Sequence, residues 1–225
     1  VLALANKEQR GYITPQEFNL LANQAQMVIF EQYFYDIKQL DEVHGNEKEY
    51  SDILKTLNEK TSIFKKFDTA LVKSGSFFLY PNDMYKLGTL YYAKTALLED
   101  GVEIQEINYD ELLDIYNSPL TKPNKSRPCY IRREEGIRII SAAAITSGVL
   151  ASYIRKPVKV HWGYIITLGE ALYNASASQN FELHPSEETL LVYKILELAG
   201  VVLNKVGLVQ TAGNEENEIK TQQKL

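Results

Sequence analysis

Three histidines, one cysteine and two adjacent glutamate pairs are the residues of this 225-residue chain whose types could do chemistry. His44, His161 and His184 are far apart in sequence. None has a cysteine, an acid or a second histidine at metal-ligand spacing, so a zinc or iron site would need distant partners. Cys129 heads a predicted strand and has no partnering motif. A thiol nucleophile needs a neighbouring base, and the plainer reading is a small buried hydrophobe. The pairs Glu134-Glu135 and Glu187-Glu188 evoke glycosidase acids, but adjacent side chains on a hairpin tip point apart. The second pair falls in the first turn of a predicted helix, where the dipole favours acids. Gly207 and Gly213 are isolated, and no glycine-rich phosphate loop occurs. The reading is of a chain that is not an enzyme, with no metal and no cofactor.

Basic residues gather at Lys122, Lys125 and Arg127, and again at Arg132, Arg133 and Arg138. Either cluster would meet phosphate if it faced a DNA channel. They serve equally as solubilising loop charges, or as partners for the acidic C-terminal segment, with Arg132 and Arg138 near each other across a hairpin. The net charge of -5 argues against general nucleic-acid affinity. The longest apolar run, Ile137 to Ile145, is broken by Arg138 and Ser141, so no membrane span is expected. A single cysteine excludes an intramolecular disulfide and suits a reducing cytoplasm. Val1 to Ala5 is too short and poorly flanked for a signal peptide, and reads as part of a helix. Fifteen tyrosines suit either a Tyr-rich core or interface surfaces.

The elements that must position these residues give an α+β chain. Val1 to Arg10 reads as a short helix, followed by an extended Tyr12-Ile13. Thr14-Pro15-Gln16-Glu17 is a capping box with Pro at the first helical position, and the helix should run to about Gln39. It carries two apolar stripes, Phe18-Leu21-Ala22-Ala25-Val28-Ile29 and Leu20-Met27-Phe30-Phe34-Ile37. A helix apolar on two sides must be covered on two sides, by its own core or by a neighbour as well. A turn is expected at His44-Gly45-Asn46, then an amphipathic helix over Tyr50 to Phe67. The period then shifts towards two, with strands at Lys86 to Ala93 and Val102 to Ile107.

A short helix over Tyr109 to Tyr116 and a proline-rich loop over Asn117 to Pro128 follow. A hairpin is expected across Glu134-Glu135-Gly136, then a strand over Val149 to Ile154 and a transition after Trp162. The last predicted helix starts near Ser186 and stops at Gly200. Beyond Asn204 the chain is polar, and alone it should be disordered unless something holds it. The divisions are 1–72 as a helical layer, 73–166 as a β-rich insertion, 167–204 as a return segment and helix, and 205–225 as an extended C-terminal arm.

Three motifs in order then resemble a known family. They are Tyr80-Pro81-Asn82-Asp83 with Leu90-Tyr91-Tyr92, Pro128-Cys129-Tyr130-Ile131 with Gly136-Ile137-Arg138-Ile139, and Tyr153-Ile154-Arg155-Lys156-Pro157 with Trp162. With Asn6 to Pro15, Glu17-Phe18-Asn19 and the helix from Phe181 to Val202, they resemble the head-to-tail connector (adaptor and ring) proteins of tailed phages. The likeness is greatest to ring proteins of crAss-like phages and covers about 200 of the 225 residues. Ser141 departs from the pattern, since related chains often carry Pro there.

The resemblance implies a helical bundle carrying a β-rich insertion, in a non-catalytic virion protein assembled in the host cytoplasm. It implies a homo-oligomeric ring, twelvefold as is usual at the portal, contacting the portal and neighbouring neck or tail rings. The ring would line or surround the DNA channel and touch DNA without sequence preference. The subunit-interface candidates are the stripe Met27, Phe30, Phe34 and Ile37, the hairpin around Arg132 and Arg138, and the arm with Leu208, Val209 and Leu225. Rival readings are a tail-hub or tail-tube ring subunit, a cytoplasmic scaffolding module, and a small enzyme using Cys129 or His161.

Overall fold

The computed structural model describes residues 13–42, 48–93, 101–167, 170–202 and 206–223. The expected first helix, the turn at His44 and Leu225 lie outside them. The chain is α+β and divides into two compact units, one of residues 1–63 with 157–225 and one of residues 64–156.

In the first unit, α1 (Pro15–Glu42) begins at the expected capping box. The Glu17 N–H donates to Thr14 Oγ1 at 3.2 Å, and Thr14 N–H donates to Glu17 Oε2 at 2.8 Å. Leu21, Ala22, Ala25, Ile29, Phe30 and Tyr33 are all buried, so the two apolar stripes merge into one broad buried face, while Leu20 is exposed. Helix α1 packs against α2 (Lys48–Ser62). The amphipathic helix expected to reach Phe67 ends at Ser62 instead. From Phe64 the backbone pairs with a distant strand, and tertiary pairing overrides the local helical pattern there.

The second unit is an eight-stranded mixed sheet in the order β1-β8-β4-β5-β6-β7-β3-β2. Its strands are β1 (Lys65–Ala70), β2 (Lys73–Ser74), β3 (Phe77–Phe78), β4 (Met84–Ala93), β5 (Gly101–Glu106), β6 (Cys129–Arg133), β7 (Gly136–Ile140) and β8 (Val149–Arg155). Only β5 and β6 run parallel; the other neighbours are antiparallel. The two outermost strands are consecutive in sequence, joined by Leu71 and Val72 alone, a span of roughly 7 Å. Leu71 N–H donates to Val149 O, and Leu79 N–H donates to Val72 O, each at 2.9 Å. One nearly continuous strand thus serves both edges, and the sheet curls round to meet itself.

Phe78, Leu87, Leu90, Ile104, Ile137 and Val149 fill one face of this sheet. Ile107, Cys129, Ile131 and Ile140 form a smaller cluster under Leu112 and Ile115 of the short helix α3 (Leu112–Asn117). Gly148, just before β8, has φ +79°, and a Cβ there would lie 2.5 Å from Ala93 O. Gly148→Ala is therefore expected to destabilise the protein by about 3 kcal/mol. Urea unfolding checks this, and a loss below about 1 kcal/mol would contradict the backbone described.

After residue 156 the chain returns to the first unit. Here α4 (Glu188–Val202) packs on α1 and on α5 (Val206–Gln223). Two expectations are corrected. Gly200 does not stop α4, which runs on to Val202 with Gly200 buried within it. The C-terminal arm is helical and is held by its own chain. Ala212 and Glu216 are buried, and Lys194 Nζ sits 3.1 Å from Glu216 Oε2 and 2.9 Å from Glu197 Oε2. Burial alone would lower the Lys194 pKa, but the two carboxylates outweigh it and leave it raised. No helix among the described residues is long and apolar enough to cross a membrane.

A candidate interaction site on a projecting hairpin

Sequence reasoning saw only a transition after Trp162, yet two strands lie there. β9 (Tyr164–Thr167) and β10 (Glu170–Tyr173) form a separate two-stranded antiparallel sheet. The register pairs Tyr164 with Tyr173, Ile165 with Leu172, and Ile166 with Ala171. Cross-strand partners share a face, so apolar residues occupy both faces of the hairpin. Ile165 is 55% exposed, Ile166 69%, Leu172 53% and Tyr173 58%. Among the described residues neither strand pairs with a third, leaving two open edges. An isolated two-stranded hairpin is marginal in water, so something must hold this one.

Its base is held by α1. Asn23 Nδ2 donates to Val160 O and Val160 N–H donates to Asn23 Oδ1, both at 2.8 Å. One step along, Trp162 N–H donates to Asn19 Oδ1 at 2.6 Å; one step back, Gln26 Nε2 donates to Val158 O at 2.8 Å. Gln26 Oε1 also accepts from Glu182 N–H at 3.1 Å. Asn19, Asn23 and Gln26 are three to four apart, on one face of the helix, and they meet alternate residues of the extended segment. Three side-chain amides therefore stand in for a neighbouring strand.

Above this ladder Trp162 packs edge-on to Phe18, with centroids 6.3 Å apart. It stacks on Tyr164 and Tyr173 at 5.9 and 6.4 Å. The sequence signal was present but weak: polar amides at helical spacing inside an apolar stripe, and two tyrosines bracketing Ile-Ile-Thr-Leu-Gly-Glu-Ala-Leu. Asn23→Leu is expected to destabilise by roughly 2–3 kcal/mol, because Val160 loses partners for both its N–H and its C=O. Hydrogen exchange checks this, with faster exchange at Val160 as the specific sign.

The residues that could have done chemistry are placed otherwise. Cys129 is buried, and burial pushes its thiol pKa up against a smaller opposing pull from Arg127, the reverse of what a nucleophile needs. His161 Nδ1 lies 3.3 Å from Asn19 Nδ2, and His184 Nδ1 accepts from Ser186 N–H at a short 3₁₀ turn. Among the described residues no group of three His, Cys, Asp or Glu is placed to hold a metal. The Glu187-Glu188 pair stands in helical first turns, Glu187 in a short 3₁₀ turn and Glu188 in α4; Glu188 faces solvent, whereas Glu187 is buried and paired with Lys60.

The interface candidates are scattered. Phe30 is fully buried and edge-on to Phe34 at 5.0 Å, while Met27, Phe34 and Ile37 are half-buried. Leu208 and Val209 lie in α5. Arg132 and Arg138 do not approach each other across their hairpin. The register pairs Arg132 with Ile137 and Ile131 with Arg138, which puts the two guanidiniums on opposite faces. Arg132 clamps Glu106 through Nε at 2.6 Å and a terminal nitrogen at 2.8 Å, and Tyr130 donates to the same carboxylate at 2.9 Å. Within the second unit two of the motifs meet. Asp83 accepts from Lys66 at 2.7 Å and from the Tyr153 hydroxyl at 2.9 Å, and these bonds, that from Lys66 first, hold its carboxyl below the usual value.

Compared with protein-family models and with curated proteins, the chain matches none.

Proposed function

We propose that this chain is a structural virion protein, one subunit of a ring in the head-to-tail connector of a tailed phage. The ring links portal to tail and surrounds the DNA channel, and the role is structural and not catalytic. In this reading the helices form a bundle, and residues 64–156 are the β-rich insertion it carries. The observation that carries the proposal is the β9–β10 hairpin. It exposes apolar side chains on both faces and, among the described residues, leaves both edges open, which a free-standing soluble domain avoids and a subunit of an assembly uses. The order of the three motifs supports the same reading.

Native mass measurement of the full chain, alone and with a portal protein, tests it. A closed oligomer alone, or one formed on the portal, is the expected result. A monomer at high concentration that also ignores the portal would overturn it.

A further inference from the structure

A second exposed apolar patch lies in the other unit. Around α3 and the loop after it, Leu113 is 72% exposed, Tyr116 44% and Leu120 87%. The loop is built rather than trailing. Thr121 Oγ1 donates to Ile115 O, Lys122 N–H donates to Ser118 O, and Asn124 Oδ1 accepts from the N–H groups of Ser126 and Arg127. Lys122, Lys125 and Arg127 are exposed on it. From Ile115 to Arg127 the chain has three Lys and Arg and no Asp or Glu, the acids Asp110, Glu111 and Asp114 lying before it.

The segment carrying the hairpin is the reverse. From Val160 to Tyr193 it has four Glu and no Lys or Arg; Glu187 is buried against Lys60, which leaves Glu170, Glu182 and Glu188 to carry the segment's charge. The asymmetry extends to the whole units. Residues 1–63 and 157–225 hold 18 Asp and Glu against 11 Lys and Arg, a formal -7, while residues 64–156 hold 11 against 13, a formal +2.

From these two observations, apolar match and opposite charge, we infer that the β9–β10 hairpin of one copy docks on the α3 loop of a second copy. Ile165 and Leu172, a cross-strand pair on one face, pack on Tyr116 and Leu120, and the basic loop faces the acidic hairpin segment. The two surfaces differ, so the contact is head-to-tail and each subunit has one free surface of each kind to pass on. Contacts of this type close into rings or run on as filaments. Opposite charge at the rim speeds encounter and fixes the register, while the apolar centre supplies the affinity. The inference rests on the ring reading only in taking the partner to be a copy of this chain.

The test uses two full-length variants. One carries Ile165→Lys with Leu172→Lys, the other Tyr116→Lys with Leu120→Lys. All four sites are solvent-exposed, so circular dichroism and thermal unfolding should match the wild type. Each variant alone should be monomeric under conditions where the wild type assembles. Mixed, they should form a 1:1 heterodimer and nothing larger, since each offers one intact surface and the damaged surfaces, both lysine-bearing, repel. Wild-type assembly should weaken at least tenfold between about 0.1 M and 1 M salt, as the Debye length falls from roughly 10 to 3 Å.

Variants that assemble like the wild type would overturn the docking while leaving a ring intact. A hairpin variant that is monomeric beside a loop variant that still dimerises would mean hairpin-to-hairpin contact, and would also overturn it. So would loop variants that lose only retention on duplex DNA. A wild type that stays monomeric alone but forms a ring on the portal removes this inference and spares the ring reading. Heterodimers with open filaments in the wild type do the opposite.

Discussion

Lys60→Met is expected to destabilise the protein by about 3–5 kcal/mol, the usual loss when one partner of a buried ion pair is removed. Lys60 Nζ lies 2.5 Å from Glu187 Oε1, and the side chains are only 8% and 1% exposed. Among the described residues, the Glu187 Oε2 atom and the Tyr33 hydroxyl are buried with no hydrogen-bond partner. Burial, and then the Glu187 charge, push the Tyr33 phenol pKa far up. Lys60 also lies over the Tyr33 ring, 6.0 Å from its centroid. The ammonium is thus the counter-charge for a carboxylate that has little else, and it joins the end of α2 to the start of α4. Replacing both partners, Lys60→Met with Glu187→Leu, should recover most of the loss, because no isolated charge remains. Urea unfolding with an unchanged slope checks both. A loss below about 1 kcal/mol in the single variant would mean the pair is not buried as described.

Phe30→Ala is expected to lower stability by about 3–5 kcal/mol through a cavity in α1's buried face, without changing the subunit's ability to assemble. Phe30 was a candidate for contact with a neighbour on periodicity, yet its ring is wholly inside its own unit. The comparison with Ile165→Lys and Leu172→Lys separates the two kinds of apolar residue. The first substitution should shift the unfolding midpoint and leave the oligomer intact; the second should do the reverse. If Phe30→Ala dissociated the assembly at full stability, the packing of α1 described above would be wrong.

What could be read from residues alone follows the range of the forces involved. The capping box at Thr14 to Glu17 and the hairpin at Glu134-Glu135-Gly136 are local, set by a few neighbouring dihedrals and hydrogen bonds, and the structure has both. The end of α2 was misjudged because residues 63–67 keep a helical pattern of Ile and Phe, while their backbone is claimed by Arg155, some ninety residues on. The C-terminal helix was missed because its composition is polar. Its stability comes from α4 through Lys194, Glu216 and Ala212, none of which a local window can see. The hairpin at Tyr164 to Tyr173 escaped notice for a different reason. Its strands are four residues each, and what anchors them is an amide ladder on a helix 140 residues earlier. Side chains paired to a strand leave no periodic trace in that strand's own sequence.

The hydrogen bond from Arg155 N–H to Phe64 O, at 2.9 Å, has a consequence for how such a chain can change over generations. The sheet unit begins and ends on adjacent, antiparallel strands, with Lys65 opposite Ile154. To the helices it is a loop whose two feet stand one hydrogen bond apart. Strands can be added to or lost from its far side without altering the distance the helices must bridge. Genetic exchange between relatives could therefore swap the whole segment at these two points, giving the helical body a new sheet, and with it a new partner loop, in a single event.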